Sequence, residues 1–367
     1  MKCKALLPSL SVVFISLCHQ EHCRAQPRPL APLPPIKQFV PKDNPMTPAK
    51  IELGKMLFFD PRLSGDSSTS CAKCHDPESG FSNGSRLSDA YPGTKHWRGV
   101  PTVWNAAYAK LLFWDGRSPN LEDQAKGPIQ APIEMNQSPA HLVHKLRGIP
   151  FYRDQFKKVF DSDVTFDNIA KAIAAFERTI ISREVPFDDY LNGDKSALDE
   201  EQIRGLELFK TKARCIQCHD GAIFSDGMLH ALGVPETEAL QKDSDRIATR
   251  HFFAEDAGYK NWKIDADYGR ELISKSPADR FKFKTPSLRE ILDTAPYMHN
   301  GAFLTLEEVV DFYNGGGGDI KEKDPLLRPL GLTSDEKAAL IAFLESLSGK
   351  PIRIKPPELP KKDDGTL

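Results

Sequence analysis

Two pentapeptides carry the most specific chemistry in the chain: Cys71-Ala72-Lys73-Cys74-His75 and Cys215-Ile216-Gln217-Cys218-His219. In each, the two thiols can form thioethers to the vinyl groups of a porphyrin, and the imidazole that follows is placed to ligate iron from the proximal side. Rival uses of such cysteines are a redox dithiol, a pair of disulfides, or one zinc site shared by four thiolates. A dithiol does not require a histidine directly after it, and here that histidine occurs twice. The spacing therefore predicts two covalently bound haem c groups, attached through Cys71, Cys74, Cys215 and Cys218 and ligated by His75 and His219.

Two haems whose irons are both closed by protein ligands can only pass electrons. Catalysis on a peroxide needs one iron with a free or displaceable sixth position, and above it a group that moves a proton from the near to the far oxygen. Candidates lie between the two pentapeptides: Phe113-Trp114-Asp115-Gly116-Arg117, then Gln124, Pro128 and Glu134 within Pro132-Ile133-Glu134-Met135. On residue type alone, Glu134 is equally an ordinary half-buried carboxylate and Trp114 an ordinary core residue.

The elements that must position these groups read as helices. Cys71 and Cys215 stand 144 residues apart, a domain's length, and their flanks repeat. Gly54-Lys55-Met56-Leu57-Phe58 precedes the first as Gly205-Leu206-Glu207-Leu208-Phe209 precedes the second, and Phe81-Ser82 follows as Phe224-Ser225 does. Ser138-Pro139 makes an N-cap with proline at the first helical position, and Ile169, Ile173, Phe176 and Ile180 keep helical spacing. Thr305 with Glu308 and Thr333 with Glu336 read as capping boxes. The second opens a helix that carries Leu340, Ile341, Leu344 and Leu347 on one face and closes at Gly349. No run of alternating strand residues stands out. The expected fold is mainly α: two cytochrome-c-like haem domains related by internal duplication, with long loops.

The chain has 367 residues, enough for two domains. The expected layout is an export signal over 1–25, a Pro-rich extended segment over 26–45, haem domains over 46–195 and 196–350, and a tail over 351–367. The stretch from Pro27 to Pro41 and the tail read as extended or mobile ends. A basic Met1-Lys2-Cys3-Lys4, a short apolar run and the Arg24-Ala25-Gln26 exit describe a secretory signal, which implies a periplasmic protein. That run is too short to span a bilayer, so the protein is not expected to be membrane-embedded. Lys+Arg 49 against Asp+Glu 51 gives a formal charge of -2, with no basic excess for nucleic acid.

The order CxxCH, FWDGR, Gln, IEM, CxxCH, Pro286-Ser287-Leu288-Arg289 and Pro296-Tyr297-Met298-His299-Asn300-Gly301 resembles the bacterial dihaem cytochrome c peroxidase and MauG superfamily. The resemblance runs from Leu53 to Leu347. Carried over residue by residue, it implies that the first haem is peroxidatic, that Glu134 is its distal acid/base, that Gln124 and Pro128 line the distal pocket, and that Trp114 lies between the haems.

The resemblance also bears on the second iron, whose nearby candidate ligands are Met228, His230, Met298, His299 and Tyr313. The position that is Met in the peroxidases, counted from Thr305, is Tyr313 here, which is similar to the His/Tyr ligation of the MauG branch. Met298 is the alternative ligand. A phenolate donates charge to iron and favours its higher oxidation states, whereas a Met/His pair raises the potential. The implied function is oxidation of a partner protein by H2O2, in the MauG branch the completion of tryptophan tryptophylquinone in a methylamine dehydrogenase precursor. The alternative is a peroxidase fed by a small cytochrome c or cupredoxin, and from another class, an electron-transfer cytochrome. The sequence departs from the pattern in two places. The tryptophan expected two residues before the second attachment cysteine is Ala213, and an asparagine that lends oxygen to Ca2+ between the haems is Gly99. The backbone positions Thr294 and Pro296 remain for that calcium. His96 is out of register with the loop histidine that closes the first haem in the peroxidases, which gives it a surface or supporting role and leaves that haem five-coordinate at rest.

Overall fold

The structure, a computed structural model, describes residues 26–259 and 264–361, so the segment read as an export signal lies outside the described residues, as do 362–367 of the tail. Six helices position the site: α1 (Pro48–Phe59), α2 (Leu121–Gln130), α3 (Phe166–Glu177), α4 (Glu200–Lys210), α5 (Leu306–Asn314) and α6 (Ser334–Glu345). They form two apolar cores. One is built by Leu57, Phe58, Ile169 and Phe176, the other by Leu206, Phe209, Phe343 and Leu347.

The starts of these helices are written into the sequence. Thr47 accepts from the Lys50 N–H ahead of Pro48, and Thr165 accepts from the Asn168 N–H. Asp199 with Gln202 and Thr333 with Glu336 close full capping boxes. Ser138 caps its helix as expected, accepting from His141. Glu308 departs from expectation: its carboxylate takes the Leu304 N–H at 2.5 Å, while Thr305 still accepts from Glu308 N, so that box is half made. Helix α6 also ends sooner than expected, because Ser346 caps it; Leu347 is buried outside the helix and Gly349 lies beyond it.

The two cores share one packing device. A methyl carbon built on Gly54 would stand 1.9 Å from the Ala172 carbonyl oxygen, and one on Gly205 would stand 1.9 Å from that of Ala339. Only glycine lets α1 approach α3, and α4 approach α6, this closely. Beside each contact a phenylalanine pair meets at 5.2 Å, Phe58 with Phe176 and Phe209 with Phe343. Gly54→Ala and Gly205→Ala are each expected to lower stability by about 1–3 kcal/mol, since backbone blocks the methyl and the helices must separate; thermal melts of the haem-bound variants measure it.

Among the described residues the strands form two short antiparallel ribbons, β1 (Asp89–Ala90) with β2 (Thr94–Lys95) and β3 (Leu229–Ala231) with β4 (Lys282–Lys284). Neither end that the structure describes is loose. The Arg28 guanidinium pairs with Asp220, Arg289 donates to the Ala31 carbonyl and the Tyr108 hydroxyl to that of Pro34. This Pro-rich strap thus runs from the second half onto the first. The tail returns to the first core, where Ile352 and Ile354 pack and Arg62 donates to the Pro360 carbonyl. Proline-rich composition signals an extended chain, not a mobile one, when side chains and carbonyls find partners. No described helix is long and apolar enough to cross a membrane.

Candidate functional site

Each pentapeptide forms a single tight turn at the foot of its core. Cys71–Cys74 is one helical turn and Cys215–Gln217 a 3-10 turn; in both, the backbone N–H of the histidine donates to the carbonyl of the first cysteine at 2.8 Å. The histidines are held alike. His75 Nδ1 lies 3.1 Å from the Phe81 carbonyl and His219 Nδ1 lies 2.8 Å from that of Phe224. A carbonyl only accepts, so Nδ1 carries the proton and Nε2 keeps its lone pair for a metal. Phe81 and Phe224 are both fully buried with φ of +53°, a left-handed turn that aims those carbonyls back at the rings.

Both imidazoles face one cavity of about 460 Å³, together with Cys215, Cys218, Trp114, Gln124 and Tyr313. The cysteines are not paired with one another, and no group of potential metal ligands among the described residues joins the two turns. Among the described residues, then, these cysteines form neither a disulfide nor a four-thiolate cluster. Burial pushes the Cys71 and Cys74 thiols up and the Cys215 thiol up to about 12, the opposite of an activated redox dithiol. The donor set that remains, two thiols and one free imidazole nitrogen per turn, with both imidazoles and the Cys215 and Cys218 thiols on a common cavity, fits two covalent haems.

Trp114 lines the cavity that both imidazoles face. Its indole N–H donates to the Gly99 carbonyl at 2.8 Å, and its own carbonyl accepts from Lys284 N at 2.8 Å. The neighbouring Arg98 is buried and bridges two carboxylates, reaching Asp115 at 2.7 Å and Asp267 at 2.6 and 2.8 Å. Burial alone would raise the Asp267 carboxyl, but the Arg98 guanidinium, by charge and hydrogen bonding, holds it well below the usual range. Arg98→Lys keeps the charge but loses the fork, leaving one buried carboxylate short of a donor. The expected cost is about 2 kcal/mol, read as a lower melting temperature. Neither Arg98 nor Asp267 carried a sequence signal, because their pairing spans 169 residues and no motif.

The groups expected above the first haem are split by the structure. Gln124, on α2, lines the cavity, whereas Pro128, inside α2, and Glu134, in the turn after it, are not part of its wall. Glu134 instead stands by the first attachment turn, where its charge adds to the burial that raises the Cys74 thiol. Burial raises the Glu134 carboxyl itself, with Arg117 opposing and Asp115 adding. The Arg117 guanidinium lies 3.4 Å over the Phe113 ring and also binds Asp115. His96, expected in a surface or supporting role, lies beside this group: its Nε2 is 3.6 Å from Glu134 Oε1.

At the second turn, Tyr313 and Met298 both line the cavity with His219. Burial, then the Cys218 and Cys215 thiols on the same cavity, push the Tyr313 phenol up. Of the other candidates, His299 and His230 also line this cavity, His230 beside Cys218. Met228 is 53% exposed, His299 stacks on Phe283 at 3.8 Å, and His230 sits between Asp226 at 2.9 Å and Asp324 at 2.6 Å. Thr294, Pro296 and Gly99 all reach the cavity wall, and Ala213 fills its place beside Cys215 without an aromatic ring.

Residues 48–196 match the family model described as di-haem cytochrome c peroxidase. Among curated proteins, the chain is 46% identical to "Cytochrome-c peroxidase IdrP1" of Pseudomonas sp. (strain SCT), over 97% of this chain and 94% of that one. It is 38% identical to "Methylamine utilization protein MauG" of Methylorubrum extorquens, over 87% and 84%. Among solved structures it is similar to a MauG-like protein associated with microbial copper homeostasis, with a TM-score of 0.73, 30% identity and coverage of 90% and 95%. Likeness that runs the length of both chains, through the two turns that each offer a free imidazole nitrogen, makes this protein a member of the di-haem cytochrome c peroxidase family, a haem-dependent oxidoreductase carrying two haem c groups.

Proposed function

We propose that the enzyme uses H2O2 to oxidise a partner protein, with the first site as the peroxide site and the second as the place where the partner's electrons arrive. The observation that carries this reading is Tyr313, whose phenol faces the second attachment turn on the same cavity as His219. Haem iron, when bound, supplies the redox chemistry, and each H2O2 takes two electrons and two protons to become two waters. Glu134, beside the first attachment turn and off the cavity wall, would accept the proton of the near peroxide oxygen and return it to the far one directly or through a bridging water. Gln124, on the wall, would orient the peroxide. His75 and His219, each tied through Nδ1–H to a backbone carbonyl, hold their rings in one orientation. Trp114, clamped at both its N–H and its carbonyl, supplies an aromatic step between the sites.

The matched helix pairs, glycine contacts and phenylalanine carbonyls support the reading of two haem domains, 46–195 and 196–350, derived by internal duplication. The N-terminal segment supports export to the periplasm. A calcium ion would have the Thr294 and Pro296 carbonyls but no side-chain oxygen at Gly99, and would keep more waters. Completion of tryptophan tryptophylquinone in a methylamine dehydrogenase precursor is the MauG-type form of this activity. The peroxidase form, with a small cytochrome c or cupredoxin as donor, is favoured by Ala213, which removes the aromatic exit toward a protein substrate.

Purified enzyme given H2O2 and, in turn, the dehydrogenase precursor, a reduced small cytochrome c and a reduced cupredoxin separates these forms. Oxidation of at least one protein is expected. Peroxide consumption with none of them oxidised would overturn the proposal.

A further inference from the structure

We propose that His96 is a positioning residue for Glu134, an imidazole held in the Nε2–H tautomer and aimed at the Glu134 carboxylate so that it stays ionised and oriented to receive a proton. This rests on the reading of Glu134 as the proton-transfer group and goes beyond it.

The tautomer follows from one backbone contact. The N–H of Arg98 donates to His96 Nδ1 at 3.1 Å. A nitrogen that accepts cannot also carry a proton, so in the neutral ring the proton is on Nε2. Nε2 is the atom that points at Glu134 Oε1, 3.6 Å away, a few tenths of an ångström beyond a hydrogen bond. A small closure or one bridging water completes the contact, and catalytic contacts commonly tighten once ligands bind.

The ring has little freedom to turn away. His96 N donates to the Ser88 carbonyl at 2.8 Å, and Ser88 N donates to that of Arg98 at 3.1 Å, fixing the loop on both sides. The imidazole leans on Trp97 at 4.9 Å, and Trp97, 1% exposed, packs edge-on against Phe253 at 4.3 Å.

The surroundings keep this ring a donor rather than a cation. Burial first, then the Arg98 and Arg117 guanidiniums, push His96 down to about 3, against the opposing pull of Asp267. At working pH the ring is neutral. Glu134 has the converse problem: burial raises its carboxyl, Arg117 opposes, and Asp115 adds to the rise. A hydrogen bond donated to a carboxylate favours its charged form. The Nε2–H therefore offsets part of the effect of burial on a group that must be ionised to act as a base.

The test is a titration of Glu134 in the full-length, haem-bound enzyme. The C=O band of protonated Glu134, assigned by its loss in Glu134→Gln, is followed by infrared difference spectroscopy against pH in wild type, His96→Ala and His96→Gln. The acid limb of the H2O2 reaction is followed in parallel. Removing the donor is expected to raise the proton affinity of Glu134 roughly tenfold, moving band and limb about one pH unit upward. His96→Gln, whose amide N–H can replace Nε2–H, is expected to restore both. His96→Phe substitutes for the alanine variant if that one fails to bind haem. A band that titrates alike in wild type and donor-less variants overturns the proposal, as does an equal shift in the Gln and Ala variants. The two readings fail separately: normal peroxide kinetics in Glu134→Gln would remove Glu134 from the chemistry, while the band would still report whether His96 touches it.

Discussion

Glu134→Gln is expected to slow the reaction with H2O2 by about 10²- to 10⁴-fold, the range that a positioned acid/base group contributes. The amide matches the carboxylate in size, so it leaves the turn after α2 and its Glu134 N to Ala131 carbonyl bond in place. What it removes is the one oxygen in that turn able to take a proton. Because burial raises this carboxyl, the wild-type rate should fall as pH drops through a value above the ordinary glutamate range, where the group becomes protonated and stops accepting. In the Gln variant that acid limb should vanish along with most of the rate. Stopped-flow mixing with H2O2 across pH reads both. Unchanged kinetics, or a surviving acid limb, would mean that another group moves the proton, and Arg117 and Gln124 would then be the residues to replace.

What the sequence made legible is whatever depends on short-range patterns. CxxCH fixes two thiols and an imidazole on one turn, and the structure shows each turn with a free Nε2. Caps such as Ser138, Thr305 and Thr333 are equally local, since a side chain three residues from its target needs no tertiary context. What stayed hidden depends on distance along the chain. The Arg98–Asp267 pair and the His96–Glu134 approach join segments whose register is set only when two cores and a long loop come together. The terminal segments show the opposite failure. Their composition resembles a flexible linker, yet Arg28, Ala31 and Pro34 are bound at defined partners, because an extended proline-rich chain can still offer its carbonyls as acceptors and one well-placed guanidinium as a donor. Glu134 falls between these cases. Its motif is local, but its place off the cavity wall and beside His96 is set by tertiary packing.

Tyr313→Met is expected to raise the reduction potential of the second haem by a few tenths of a volt, within the roughly 0.8 V span over which axial ligands tune haem iron. The position is set by α5: Thr305 caps its start by accepting from Glu308 N, and the helix then carries residue 313 to the cavity wall opposite the second attachment turn. Burial raises the free phenol, with the Cys218 and Cys215 thiols adding to the effect; thioether formation would remove the thiol contribution, and a bound ferric iron would supply the positive charge that favours phenolate. A thioether in the same place is neutral and favours ferrous iron, so the potential rises. Two spectra make the test decisive. Wild type should lack a methionine-to-iron charge-transfer band at the second haem, and Tyr313→Met should gain it. If Met298 is the ligand instead, wild type already shows that band, Met298→Leu abolishes it, and Tyr313→Met changes little. With the phenolate gone, the second site should accept electrons from small donors more readily, so turnover of H2O2 with reduced cytochrome should rise while oxidation of a demanding protein substrate falls. Both changes moving in the same direction would separate the ligand from the choice of partner, and would place that choice on the protein surface rather than at Tyr313.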